Sequence, residues 1–320
     1  MKHLNHPVSM HSPRKFRPRL AGIVLVALAA VGFGAEVRSQ SLEPRAYSNS
    51  PTGLNFVLVG FQNSNGAIEL DPTLPVEDAD AEVDTGYIGY VRTLEVAGNS
   101  AKLGVVLPYA SLQADGFADG VFRERDAVGL ADPTFFFSYN LFGAPALSVQ
   151  EFKDYRQEKI IGVSLKVIAP LGDYDSDKLI NISTNRWTLE PGIGISSAFG
   201  NWTLEASGAA AFYTDNNDFF NGQKREQDPI YSAQFHVTYT FPSKIWVAAS
   251  TTYYEGGKTT IDSIEKDDIQ ENWRTGITLS LPLNRNQAVK LYGSRGVSTR
   301  TGTNFDIAGV LWQYRWGGGF

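Results

Sequence analysis

The chain has 320 residues, a formal net charge of −6 and no cysteine. Without cysteine there is no disulfide framework to hold a small fold together. No basic cluster follows residue 39, which excludes nucleic acid as a partner, since gripping a phosphate backbone takes grouped Lys and Arg. No glycine-rich run follows a strand and opens a helix, so there is no phosphate loop and no cofactor motif.

In chain order, Arg14, Lys15, Arg17 and Arg19 precede an apolar run at 20–33, and Val37 with Ser39 supplies a small-x-small cleavage signal. Residues 1–39 therefore read as a signal peptide, with a mature start near Gln40 and Ala35 as a poorer second cleavage point. The apolar run, about fourteen residues, is short of the roughly twenty that a membrane-crossing helix needs. Removing the leader leaves 22 basic against 33 acidic residues, a net charge of about −11. No linker, low-complexity tract or fixed-period repeat divides 40–320, which reads as one domain.

What recurs beyond the leader is alternation of apolar and polar positions, the mark of a strand with one greasy face. Such runs fall near 52–62, 84–96, 101–112, 128–140, 158–169, 186–198, 202–213, 230–241, 244–255, 271–283, 287–297 and 304–316. The clearest sets Tyr231, Ala233, Phe235, Val237, Tyr239 and Phe241 against Ser232, Gln234, His236, Thr238 and Thr240. A sheet with one apolar face cannot offer unpaired edge groups to hydrocarbon, so it must close on itself. The expected fold is all-β: a closed antiparallel transmembrane barrel of about twelve strands whose polar face lines the lumen. Connections at 97–100, 199–201, 242–243 and 284–286 are tight, whereas 63–83, 113–127, 170–185, 214–229 and 256–270 are long and polar. That alternation matches short periplasmic turns and long extracellular loops. Segment 141–157 breaks it and is expected to form a periplasmic helix, at 148–157, or a plug.

Trp202, Trp246, Trp312 and Trp316 fall at expected periplasmic ends, and Trp187, Trp273, Tyr109, Tyr213, Tyr253 and Tyr254 at outer ends. These are the two interfaces where such side chains concentrate. Phe320 closes the chain, with Trp316, Tyr314, Trp312, Val310 and Ala308 at its parity and Arg315, Gln313 and Gly309 opposite. The row resembles the assembly signal of bacterial outer-membrane barrels. It implies the barrel-assembly machinery as a partner, with outer-membrane lipid and lipopolysaccharide as surroundings; a homo-oligomer stays open.

Several segments together resemble one family, the phenol-degradation meta-pathway transporters of Gram-negative outer membranes, related to the functional-amyloid secretion channel. They are 43–49 leading into 53–56, Pro170-Leu-Gly-Asp-Tyr-Asp175, Asn185-Arg-Trp187, 215–220, Gln227-Asp-Pro229, 254–257 and 305–316. Ser183 stands where the family pattern has Gly. The resemblance implies an outer-membrane pore for small aromatic or hydrophobic compounds. The secretion role is disfavoured, because only about a dozen residues separate Gln40 from the first strand.

Three functions are therefore weighed: a passive channel for small organic compounds, a closed structural or adhesion barrel acting through its loops, and a barrel lipase. A lipase needs a Ser activated by His. The mature chain holds one His, His236, with only Ser232 near it on that face, and its parity points into the lumen, away from lipid. The acidic residues Glu69, Asp71, Glu77, Asp78, Asp80 and Glu82 lack calcium-loop spacing, and Pro72 with Pro75 suggests a solvated loop. By alternation, Arg92, Lys102, Lys166, Arg186, Glu190, Glu205, His236, Arg274, Lys290 and Arg315 face the lumen, to tune passage or to stiffen the interior through ion pairs. The glycines at 192, 194 and 208 read as lumen positions that must stay small, or as bulges.

Overall fold

The computed structural model describes residues 43–69, 76–118 and 121–319. The signal-peptide and Phe320 readings lie outside them. Seventeen strands follow in chain order: β1 (Leu54–Glu69), β2 (Val76–Val96), β3 (Asn99–Ala118), β4 (Val121–Leu130), β5 (Thr134–Phe142), β6 (Lys159–Ile168), β7 (Thr188–Phe199), β8 (Trp202–Tyr213), β9 (Asn216–Phe219), β10 (Gln223–Gln227), β11 (Ile230–Thr240), β12 (Trp246–Gly256), β13 (Thr259–Ile261), β14 (Ile264–Glu265), β15 (Gln270–Pro282), β16 (Gln287–Ser298) and β17 (Gly302–Gly317).

Each long strand pairs antiparallel with its neighbours in the sheet, and β1 closes onto β17 from Leu54↔Gly317 to Glu69↔Gly302. β4 and β5 share the β3 edge, β4 on its outer half and β5 on its inner half. They are two pieces of one wall position interrupted at Ala131–Pro133, so the wall is a closed twelve-strand antiparallel barrel. Closure satisfies the backbone groups that hydrocarbon leaves unpaired at several kcal/mol each.

The outward face carries the expected greasy row: Val59, Phe61, Ile88, Leu107, Tyr231, Phe235, Val237 and Trp316 are exposed on the wall. The tight turns lie where expected. Between β2 and β3, Ala97 (φ +48°) and Gly98 (φ +80°) both take the left-handed conformation of a type I′ hairpin.

Four expectations need correction. First, β1 to β4 continue far into segments 63–83 and 113–127: Asn63 pairs Asp84 and Asn65 pairs Glu82, with Asn63 Nδ2 donating to Glu82 Oε1 at 2.8 Å and Asp84 Oδ1 at 2.9 Å. The ladder outlives the apolar alternation because its outward face there is polar and its inward face carries small side chains such as Ala79 and Ala81. Second, loops 214–229 and 256–270 contain a small sheet in the order β14-β13-β10-β9. Third, the helix at 148–157 is a single 3-10 turn, Glu151–Lys153. Ser148 and Glu151 form the reciprocal cap (Ser148 N to Glu151 Oε2, 2.8 Å), but Tyr155 donates its hydroxyl to the Gly143 carbonyl at 2.7 Å and draws the chain onto the rim. Fourth, Tyr213 packs inward against Tyr254, and Trp246 and Tyr254, expected at the periplasmic and outer girdles, belong to neither. Both are fully buried on the inward face, because neighbours such as Tyr253 and Tyr254 cannot share a face.

The lumen is two-sided where a polar lining was expected. Leu54, Phe56, Leu58, Tyr87, Val91, Val106, Phe136 and Leu311 form an apolar cluster inside the barrel on β1, β2, β3, β5 and β17. Towards the outer mouth, Ala110, Leu112, Phe305 and Ile307 pack with Ile182 of the 169–187 loop. Ser138, Ser164, Ser207, Ser232 and Gln234 line the opposite, polar wall. Alternation misses this because β1 is apolar on both faces.

Candidate functional site in the barrel lumen

The segment before β1 forms a floor. The Arg45 N–H donates to the Glu205 carboxylate, and the Lys102 ammonium donates to the Ala46 carbonyl at 2.9 Å. The Arg45 guanidinium stacks 5.6 Å from the Trp246 ring centroid, with Lys290 Nζ 5.9 Å from the same ring and 3.9 Å from Glu43. The Tyr47 ring lies where a Cβ on Gly162 or Gly194 would stand, and its hydroxyl is 3.1 Å from Ser164 Oγ. Gly194 must therefore stay small, whereas Gly208 alternates with the inward Ser207 and Ala209 and faces out. Burial lowers the Arg45 guanidinium from its ordinary value, with Glu205 opposing, and raises the Tyr47 phenol. The 141–157 segment buttresses this floor from the rim: Thr52 N donates to the Leu147 carbonyl (2.9 Å) and Asn49 Nδ2 to the Pro145 carbonyl (3.1 Å). Above the floor lies a cleft, open to solvent, with Tyr47, Phe136, Lys166, Glu190 and Gln234 in its lining.

The outer mouth is covered by 169–187. Buried Asp132, at the wall interruption, accepts from Gly172 N (3.0 Å), Ser183 Oγ (2.6 Å), and Thr184 N and Oγ1 (both 3.0 Å). Ser183, the departure from the family pattern, is thus a latch. Asn216 joins the lid to its neighbours, donating to the Tyr174 hydroxyl (3.0 Å) and the Thr184 carbonyl (3.2 Å). Arg186 donates to Gln227 Oε1 and stacks 4.4 Å from the Tyr213 ring centroid. Three of the family segments, 170–175, 185–187 and 215–220, converge on this lid, and Gln227 joins them through Arg186.

The wall is weakest beside it. β4 pairs only with β3 among the described strands, and its other edge meets the lid at Asp173, whose N–H donates to the Leu130 carbonyl at 2.7 Å. Exposed Val128, Leu130 and Leu171 flank the interruption.

All of Lys102, Lys166, Arg186, Glu190, Glu205, His236, Arg274, Lys290 and Arg315 point inward. Most grip something: Lys166 pairs with Glu190 at 2.8 Å, and Arg315 Nε donates to the Arg285 carbonyl at 2.7 Å. With Arg45 and Glu43 these interior positions carry seven basic and three acidic side chains, opposite in sign to the chain as a whole. Arg92 is corrected: it is exposed on the outer face, 3.5 Å from Asn55 Oδ1. His236 does have a serine partner, Ser250 across the β11–β12 ladder, with Nδ1 to Oγ at 2.8 Å. That partner comes from a strand pairing which spacing along one strand does not reveal. Asp80 stands exposed on β2, while Asp71 and Pro72 lie outside the described residues.

A closed twelve-strand barrel with a greasy outer face, a floor and a latched lid defines the outer-membrane β-barrel class. The family described as "Putative MetA-pathway of phenol degradation" matches residues 58–314, and the chain belongs to it. An outer membrane channel from Pseudomonas putida F1 superposes with a TM-score of 0.72 at 20% identity, covering 86% of this chain and 100% of that one. The translocator domain of the autotransporter NalP from Neisseria meningitidis (TM-score 0.47, 9% identity, 84% and 90% covered) and the KdgM porin (0.42, 9%, 80% and 98%) are also similar. No curated protein matches in sequence.

Proposed function

We propose that the protein is a bacterial outer-membrane channel, not an enzyme, that passes small apolar or aromatic organic compounds. The observation that carries this reading is the apolar inner face of the wall, from Leu54, Phe56 and Leu58 up to Phe305 and Ile307. A pore for hydrated ions is lined with polar groups, whereas an apolar wall stabilises a solute by ~25 cal/mol per Å² of apolar surface removed from water. The signal peptide, the fold shared with an outer membrane channel and the family's link to phenol degradation support it. The floor narrows the bore for polar solutes. The interrupted wall beside β4 gives apolar solutes a side exit into the membrane. The Ser250–His236 pair is a wall hydrogen bond, buried in the lumen with no access to lipid.

The test is single-channel conductance of refolded mature protein in planar bilayers with 4-butylphenol added to one side. Small steps that the phenol interrupts and sucrose does not are expected. Silence from folded protein, or equal effects of both solutes, would overturn the reading in favour of a closed barrel acting through its loops.

A further inference from the structure

Arg274 projects inward from β15 and is 1% exposed. Its Nη1 donates to Ser294 Oγ at 3.1 Å and to the Phe305 carbonyl at 2.8 Å, while Nε and Nη2 have no acceptor among the described residues. The buried lumenal lysines are occupied: Lys166 by Glu190, Lys290 by Glu43, Lys102 by the Ala46 carbonyl. Removing a guanidinium from water without an anion beside it is costly. Thr252 is the cross-strand partner of Arg274, and Tyr254 is the next inward residue on the same strand. The hydroxyls of Thr252 and Tyr254 are buried with nothing to bond except each other. On the other side lies the apolar cluster of the inner wall, through Phe305, whose carbonyl Arg274 holds, and Ile307.

Nε and Nη2 form the side-on edge of a guanidinium, the edge that holds a carboxylate by two parallel hydrogen bonds. An unfilled donor edge beside an apolar cluster complements a carboxylate on an apolar body. We infer that Arg274, with the hydroxyls of Thr252 and Tyr254, receives the carboxylate of an amphiphilic organic acid whose apolar part lies along Phe305 and Ile307. This deepens the channel reading and rests on it: the solutes passed include organic anions, recognised at the outer end of the lumen.

The test is calorimetric binding of 4-butylbenzoate and of the neutral 4-butylbenzyl alcohol to the full mature protein in lipid nanodiscs, with empty discs as the baseline. Wild type is expected to bind the acid about tenfold more tightly than the alcohol, the size of one charge-assisted hydrogen-bond pair. Arg274→Gln is expected to remove that preference and leave the alcohol unchanged, with Arg274→Lys intermediate. Equal binding of acid and alcohol by wild type would overturn the carboxylate receptor and leave the apolar channel standing. Binding of neither would overturn both. The wild-type comparison decides even if Arg274→Gln fails to fold, and undiminished acid binding by a folded Arg274→Gln would also overturn the inference.

Discussion

Asp173 makes at Leu130 the two hydrogen bonds that a neighbouring strand would make: its N–H donates to the Leu130 carbonyl at 2.7 Å, and its carboxylate accepts the Leu130 N–H at 2.8 Å. A loop residue thereby stands in for a missing strand. Asp173→Ala removes the acceptor of the Leu130 N–H without touching the ladders, so the barrel should keep its heat-dependent mobility on gels. Trypsin cleavage after exposed Lys178 should accelerate about tenfold, as local opening becomes easier. An unchanged cleavage rate, read by mass spectrometry, would show that Asp173 does not hold the lid.

Asp132 carries more, because its carboxylate is buried and accepts from Gly172, Ser183 and Thr184. Asp132→Ala should lower the denaturation free energy by about 3 kcal/mol, and Ser183→Gly by about 1 kcal/mol. Guanidinium titration of the folded barrel reads both. Equal, negligible effects would mean that water replaces the latch.

At the other end, Glu205→Ala removes the acceptor of the Arg45 N–H, and Trp246→Ala removes the face on which Arg45 and Lys290 stack. A desolvated cation–π contact contributes ~2 kcal/mol. Each substitution should raise single-channel conductance severalfold, and deletion of residues 43–48 more so. Conductance equal to wild type in all three would mean that the floor is not the constriction.

The interior excess of basic side chains predicts anion preference. In a potassium chloride gradient the reversal potential should carry the anion-selective sign, and Lys290→Glu should move it towards the cation side. A cation-selective wild type would contradict this.

Gly60 and Gly309 let Tyr87 and Tyr292 lie flat on the wall and meet hydroxyl to hydroxyl at 3.2 Å. A Cβ on Gly60 would stand 2.2 Å from the Tyr87 ring. Gly60→Ala should cost ~2 kcal/mol, as overpacking does, and Tyr87→Ala in the same chain should recover most of it. Additive losses in denaturant would deny the contact.

Period-two alternation made the twelve wall positions legible, as did the tight turns, the C-terminal aromatic row and the inward parity of residues such as Glu205 and Arg274. It failed where its physical cause stops. Asn63, Asn65 and Glu82 continue a ladder whose outward face is polar, so no greasy outer row marks them. Girdle position alone placed Trp246 in lipid, because height along a strand does not say which face a ring takes. The floor was invisible except as residues 43–49 of a family resemblance. Arg45 reaches Glu205 across 160 residues of sequence, and no local pattern encodes such a contact. Phe305 and Ile307 read as wall residues until Ile182 came down upon them.

The floor precedes β1, and β1 is the strand that β17 must meet to complete the wall. The last ladder to form is therefore the one beside the tethered segment. Residues 43–53 must be inside before that seam zips, or thread in afterwards through the periplasmic end. Either way the protein is born shut, and passage begins as a later event in the life of a finished barrel.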